Sequence, residues 1–165
     1  MLPTDLAGVP IFRLLHVAAA VLLVVGIAGR DLNLRRAARS SAITRTVQLV
    51  ARAGRFEALM VRPGSLIVLG AGLALMWLQG RPFIAPGGYW LTVSILLYLS
   101  SIPIIAFVFV PRGRRFEAAL REAEARGAPT AELAESFADP AVAFARRFEI
   151  VALVIVVALM IAKPF

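Results

Sequence analysis

Cysteine is absent from the 165 residues, histidine and lysine occur once each, and only 17% of the side chains are charged. Without cysteine there is no disulfide, no thiolate iron–sulfur site, no cysteine nucleophile and no structural zinc of the cysteine type. A lone histidine, His16, excludes a three-histidine zinc site and a haem held by two histidines of one chain. The sequence also lacks GxSxG, a P-loop GKT and HExxH, which removes the common hydrolase, nucleotide-binding and metalloprotease signatures. Acids are few, and no two of them share one depth in an apolar run. Two-carboxylate hydrolysis therefore has no support.

Apolar sequence is what the chain has in excess: 60% of residues, with mean hydropathy +0.83. A soluble domain averages about 45–50% apolar and about 25% charged residues. The excess is arranged in four runs. The first, about residues 9–28, is long enough to cross a hydrocarbon core of roughly 30 Å and holds only Arg13 and His16 as polar side chains. The second, about 63–80, is uncharged and carries Gly70, Gly72 and Ala74, small residues that let helices approach closely. The third, about 89–110, opens with Tyr89-Trp90 at headgroup level and should bend at Pro103. The fourth, about 148–162, is short but follows Asp139-Pro140, an N-cap and first-turn proline that predict one helix from Pro140 into the membrane. A tight bend is expected at Gly87-Gly88. The leading segment Met1 to Pro10 has Asp5 and no Lys or Arg, unlike the positive start of a signal peptide, so the first run is expected to remain as a span.

The net charge of +8 would fit nucleic acid if the arginines formed one soluble face. They lie instead in two blocks between apolar runs: eight from Arg30 to Arg62 and seven from Arg112 to Arg147, leaving only Arg13, Arg81 and Lys163 elsewhere. That bias places loops 30–62 and 112–147 in the cytoplasm and both termini outside. The expected fold is all-α, a single integral membrane domain over 1–165 forming a four-helix bundle with amphipathic cytoplasmic helices. One of those helices, Arg114 to Arg126, carries Glu117–Arg121 and Glu122–Arg126 pairs opposite Phe116, Ala119, Leu120 and Ala123. Another is capped by Ser41 and runs through Val47, Val50 and Leu59. Both are expected to lie against the inner headgroups. The large excess of arginine over lysine points to a GC-rich bacterial genome and hence to a bacterial inner membrane. Partners expected are lipids and a second copy or another membrane protein, with no nucleic acid. Arg55-Phe56-Glu57 and Arg147-Phe148-Glu149 precede the second and fourth runs, as a repeated hairpin would require. Interfacial Arg and Phe with a Glu at a helix start explain the same triplets without a repeat.

Polar and polarisable residues gather in the outer half: Arg13 and His16 one turn apart, Met76 and Trp77, Trp90, Ser94 and Tyr98, Met160 and Lys163. Two readings are open. In one, His16 is an axial ligand to haem iron, Arg13 and Lys163 pair with propionates, Trp90 stacks on the macrocycle, and Met76 or Met160 adds a second ligand. In the other, Arg13 snorkels to the headgroups and His16 donates to a serine, a tyrosine or a backbone carbonyl of a neighbouring helix. Ser100 and Ser101 need only their own backbone carbonyls.

Arg13-Leu14-Leu15-His16-Val17, Gly26-Ile27-Ala28-Gly29, Glu57 with Leu59-Met60-Val61-Arg62-Pro63-Gly64, Tyr89-Trp90-Leu91 and Met160-Ile161-Ala162-Lys163-Pro164-Phe165 together give the chain a resemblance. It is similar to small bacterial four-helix integral membrane proteins of unknown function, and more distantly resembles the HemJ-type protoporphyrinogen oxidases and CopD-like copper-resistance domains. The resemblance implies a four-helix scaffold with haem b bound through His16 and, were the protein an enzyme, a haem-linked oxidoreductase. Where the oxidases carry a lysine after the third-span tryptophan, this chain has Thr92 and Ser94, and it lacks their Asn-Glu-x-Pro before the last span. The resemblance therefore carries the scaffold and the ligand rather than the oxidase reaction. Against a redox-linked cofactor protein stand a non-enzymatic scaffold that binds a partner or anionic lipid through its arginines, and a small transporter subunit.

Overall fold

The computed structural model describes residues 5–81, 84 and 88–163, and no strand occurs among them. Of the expectations above, those on Met1 to Thr4, on Gly87 and on Pro164-Phe165 lie outside the described residues. Two compact units divide the chain, residues 1–40 with 45–82 and residues 41–44 with 83–165. Each is described by itself.

In the first unit, Phe12, His16, Ala19, Leu23, Gly26, Arg30, Asn33 and Ala37 recur at alternating steps of four and three, and all are buried or half-buried. This is the spacing of a helix that keeps one seam against a partner. They lie on α1, Asp5–Ala38, about 51 Å long at 1.5 Å per residue. After a short turn come α2, Ile43–Phe56, a π-helical turn Glu57–Val61 (π1), and α3, Arg62–Leu78. The residues flanking π1 are themselves helical, so α2, π1 and α3 form one rod. Its buried or half-buried positions Glu57, Val61, Gly64, Val68, Ala71, Leu75 and Leu78 keep the same four-three alternation.

The rod packs antiparallel along α1. Leu78 lies beside Gly8, the backbone of Leu23 and Ala19 beside Gly64, Met60 beside Gly26 and Phe56 beside Gly29. A Cβ built at Gly26 would stand 2.8 Å from the Cβ of Met60, and one at Gly64 3.1 Å from the Leu23 nitrogen. Glycine is required there because the two backbones come too close for any side chain. Of the small residues expected to permit close approach, Gly72 faces the His16 side chain on the seam and Gly70 faces open space. α3 ends at Gly80 with φ 60°, where Gly80 N–H bonds to the Trp77 carbonyl and Arg81 N–H to that of Met76, a Schellman ending.

The second unit follows the same plan with looser packing. α4, Tyr89–Leu99, is interrupted at Ser100; α5, Ser101–Ile104, a π-turn Ile105–Phe109 (π2) and α6, Val110–Arg126, follow. The expected effect of Pro103 appears in the turn before it, because its ring meets the carbonyl of residue 99, four positions back. Ser100 and Ser101 donate to the carbonyls of Leu97 and Tyr98 at 2.6 Å, the local back-bonding expected. α7, Ala131–Phe137, is capped by Thr130, whose Oγ1 accepts from Leu133 N–H, and α8 is Pro140–Ala162. Asp139 caps α8 as expected, accepting from the N–H groups of Ala141 and Val142. α8 runs back along α4 and π2.

Both π-turns precede a proline, Pro63 and Pro111, at the next helix start. Each proline lacks an N–H and crowds the carbonyl four residues back, Leu59 or Phe107, which lies inside the π-turn. Widening the turn relieves that clash. In the second unit the Arg112 guanidinium reaches the Phe107 carbonyl at 3.5 Å. The π-turns fall in the second and third apolar helices. Arg147-Phe148-Glu149, the echo of Arg55-Phe56-Glu57, sits inside the regular helix α8, so the backbone does not repeat where the triplets do.

Among the described residues three stretches are long and apolar enough to cross a membrane: Gly8–Ala38, Ile43–Leu78 and Tyr89–Arg126. In α8 the apolar stretch from 150 to 162 stands behind Arg146, Arg147 and Glu149. α2 and α6 depart from expectation by continuing the rods of their spans. α2 starts at Ile43, one residue later than a Ser41 cap requires. It buries Thr46, Leu49 and Ala53 rather than Val47, Val50 and Leu59, the last being 70% exposed. On α6, Arg126 pairs with Glu122 as expected, but Arg121 donates to the Glu117 backbone carbonyl rather than to its carboxylate. Ala119 and Ala123 are buried, and Phe116 meets Phe137 of α7 edge-on at 4.9 Å.

Candidate functional site

His16 is the site residue that the structure builds most fully. The four-three spacing puts it on the α1 seam, half-buried, with α3 opposite. Its Nδ1 lies 2.9 Å from the carbonyl oxygen of Val68. A carbonyl only accepts, so the proton is on Nδ1, and in the neutral ring Nε2 carries the free lone pair. Across the seam the ring lies against Gly72: a Cβ there would be 3.1 Å from Cε1 and 3.2 Å from Nδ1. Among the described residues Nε2 has no hydrogen-bond partner. A histidine held through one nitrogen by a backbone carbonyl, with the other free, is the usual posture of a metal-ligating imidazole. It is also what a helix-to-helix hydrogen bond requires, the second of the two readings.

Arg13 is exposed one turn toward the N-terminus of α1 from His16. Trp90 and Lys163 belong to the second unit. Trp90 is 7% exposed, and its carbonyl accepts from the Ser94 hydroxyl at 2.7 Å. The Lys163 ammonium lies 5.8 Å from the Trp90 ring centroid, a cation–π pair. Lys163 ends α8 with φ 44°, a left-handed conformation rare outside glycine. So the four candidate residues divide into His16 with Arg13 and Trp90 with Lys163. Among the described residues no cluster of three or more acids and histidines is present to hold a bare metal ion.

Sequence reasoning missed the charged group at the polar end of the first unit. Arg30 bonds Asp31 at 3.1 Å and Glu57 at 3.1 Å, while Arg62 reaches the other Glu57 oxygen at 3.5 Å. Asp31 is only 6% exposed. Asn33, also buried, donates to the Gly29 carbonyl at 2.7 Å. A pairing of Glu57 with arginine was legible, but the choice of Arg30 was not. The signal was the alternation itself, which puts Arg30 and Glu57 on the same seam as Gly26 and Gly64.

In the second unit Arg112 Nε bonds Asp139 at 3.0 Å. Burial raises the Asp139 pKa, but the N–H groups of Val142 and Ala141 and the Arg112 charge outweigh it, and the net shift is downward.

The model of a family described as "Predicted integral membrane protein (DUF2269)" matches residues 10–164. No curated protein and no solved structure matches the chain.

Proposed function

Because the chain belongs to the DUF2269 family of predicted integral membrane proteins, we propose that it is a multi-pass protein of the bacterial inner membrane that holds haem through His16. The carrying observation is the hydrogen bond from Nδ1 to the Val68 carbonyl, which leaves Nε2 as the donor for iron. His16 would hold haem iron through Nε2, and the group would supply one-electron redox chemistry there. Arg13, one turn outward, is the cation for a propionate. Trp90 and Lys163, also expected at a cofactor, form a cation–π pair with one another in the second unit. The resemblance of the sequence motifs to HemJ-type and CopD-like proteins supports a histidine ligand in the first span. The arginine blocks support loops in the cytoplasm and termini outside.

The test is the absorption spectrum of protein purified in mild detergent from haem-supplemented cells. A Soret band in the wild type that disappears in His16→Ala and weakens in Arg13→Gln is expected. A wild type without the band, or an equal band in His16→Ala, overturns the reading.

The second reading is a scaffold that binds an acidic partner or anionic lipid. Its specific observation is that Arg35, Arg36, Arg39, Arg45, Arg52 and Arg55 are all exposed on the polar ends of α1 and α2. Gln replacements at Arg35, Arg36 and Arg39 should then lower retention on anionic vesicles or recovery of an acidic partner.

A further inference from the structure

Gly72 differs in kind from Gly26 and Gly64, and is like Gly29, which gives room to the Phe56 ring, in facing a side chain. At Gly26 and Gly64 a Cβ would meet chain that cannot yield: the Met60 Cβ and Val61 nitrogen, and the Leu23 nitrogen and Ala19 carbonyl. At Gly72 it would meet nothing but the imidazole of His16, at 3.1 and 3.2 Å. Gly70, two residues earlier on the same helix, has nothing within 4 Å. The glycine at 72 therefore makes room for one side chain rather than for one backbone.

We infer that Gly72 is a positioning residue for His16: its missing side chain lets the ring lie flat enough on α3 for Nδ1 to reach the Val68 carbonyl, and so makes Nε2 the only nitrogen free to take a ligand. Val68 and Gly72 are four residues apart on α3 and thus on one face. One supplies the acceptor and the other the clearance. A methyl at 72 stands closer to both ring atoms than ordinary van der Waals contact, so the imidazole must rotate or withdraw. That shift of a few tenths of an ångström lengthens the Nδ1 bond to the Val68 carbonyl and weakens the preference for the Nδ1–H tautomer. The inference rests on the proposed haem site for its use, but not for its existence, since the tautomer is a property of the protein without any ligand.

The experiment is nitrogen-15 NMR of His16, the single histidine, in the ligand-free protein in detergent or bilayers, at a pH where the ring is neutral. Wild type and Gly70→Ala should show the Nδ1–H tautomer alone, and Gly72→Ala a mixture or the Nε2–H form. Gly70→Ala places the same methyl on the same helix in open space, which separates a general effect of alanine from the loss of clearance. An Nε2–H tautomer in the wild type overturns the inference whatever the variants do, and so does an unchanged Nδ1–H form in Gly72→Ala. Haem titration reads the second half separately: affinity falls about ten- to a hundred-fold in Gly72→Ala, the usual cost of losing an orienting partner, and is unchanged in Gly70→Ala. A tautomer shift with no haem bound by any form would sink the cofactor reading and leave the positioning role standing. Equal haem affinity in wild type and Gly72→Ala would overturn the role of Gly72 in ligation.

Discussion

The first hairpin is closed along its apolar length. Gly26 and Gly64 bring α1 and the α2–α3 rod into backbone contact, Gly29 and Gly72 make room for the Phe56 ring and the His16 imidazole, and the seam continues to Arg30 and Glu57. The second packs α4 and π2 against α8 and adds, at its polar end, the Asp139 cap, its pair with Arg112 and the contact of Phe116 with Phe137. In its membrane-capable stretch only 6% of the apolar window is buried, against 22% and 17% for the two in the first unit. In hydrocarbon, apolar side chains gain nothing by leaving lipid for one another, so close association needs small residues or polar bonds. The first hairpin has both. It is therefore the rigid element, and the one on which an oriented ligand histidine is best held.

Four substitutions test this contrast, each followed by unfolding in mixed detergent. The largest effect is expected at the charged end of the seam. Arg30→Met strips the buried Asp31 of its guanidinium, and breaking such a pair costs about 3 kcal/mol or more. A loss below 1 kcal/mol would mean that the cluster is decorative. Gly64→Ala presses a methyl on the Leu23 and Ala19 backbone and should cost about 2 kcal/mol, in the range for overpacking; a neutral outcome would show that the helices are further apart.

In the second hairpin Asp139→Ala removes the cap of α8 and the partner of Arg112, at about 1 kcal/mol. Because the folded pKa of Asp139 lies below the ordinary 3.8, its contribution is complete above that value and disappears as pH falls through the lower, folded one. A pH series should show the wild type approaching Asp139→Ala only below 3.8. Convergence near neutrality would contradict the assignment. Smallest is Arg126→Ala, which loses an exposed i,i+4 pair with Glu122 worth about 0.3–0.5 kcal/mol; a larger loss would give Arg126 a role beyond that pair.

Apolar runs and Asp139-Pro140 made the helices readable because length and capping are local properties. The helical ends of α1, α2 and α6 were misjudged because a span does not stop where its apolar composition stops: nothing at Arg30, Phe56 or Val110 breaks the backbone. Pro103 was readable as a defect, whereas the π-turns before Pro63 and Pro111 were not, since a proline at a helix start ordinarily costs nothing. His16 and Arg13 stood out as polar residues in an apolar run. Their separation, one on the seam and the other in the open, depends on where the helix faces. The acceptor of His16 was legible only as a class, a carbonyl across the helix pack; that it belongs to Val68, beside a glycine 56 positions from His16 in the chain, is tertiary information.

The central claim is that His16 is a ligand and not only a bond between helices. Haem titrated onto ligand-free protein in lipid nanodiscs, wild type beside His16→Ala, tests it most directly. Saturable binding in the wild type, with a sharp Soret band that His16→Ala abolishes, is the expected result. Non-saturable partitioning of equal size into both would contradict it.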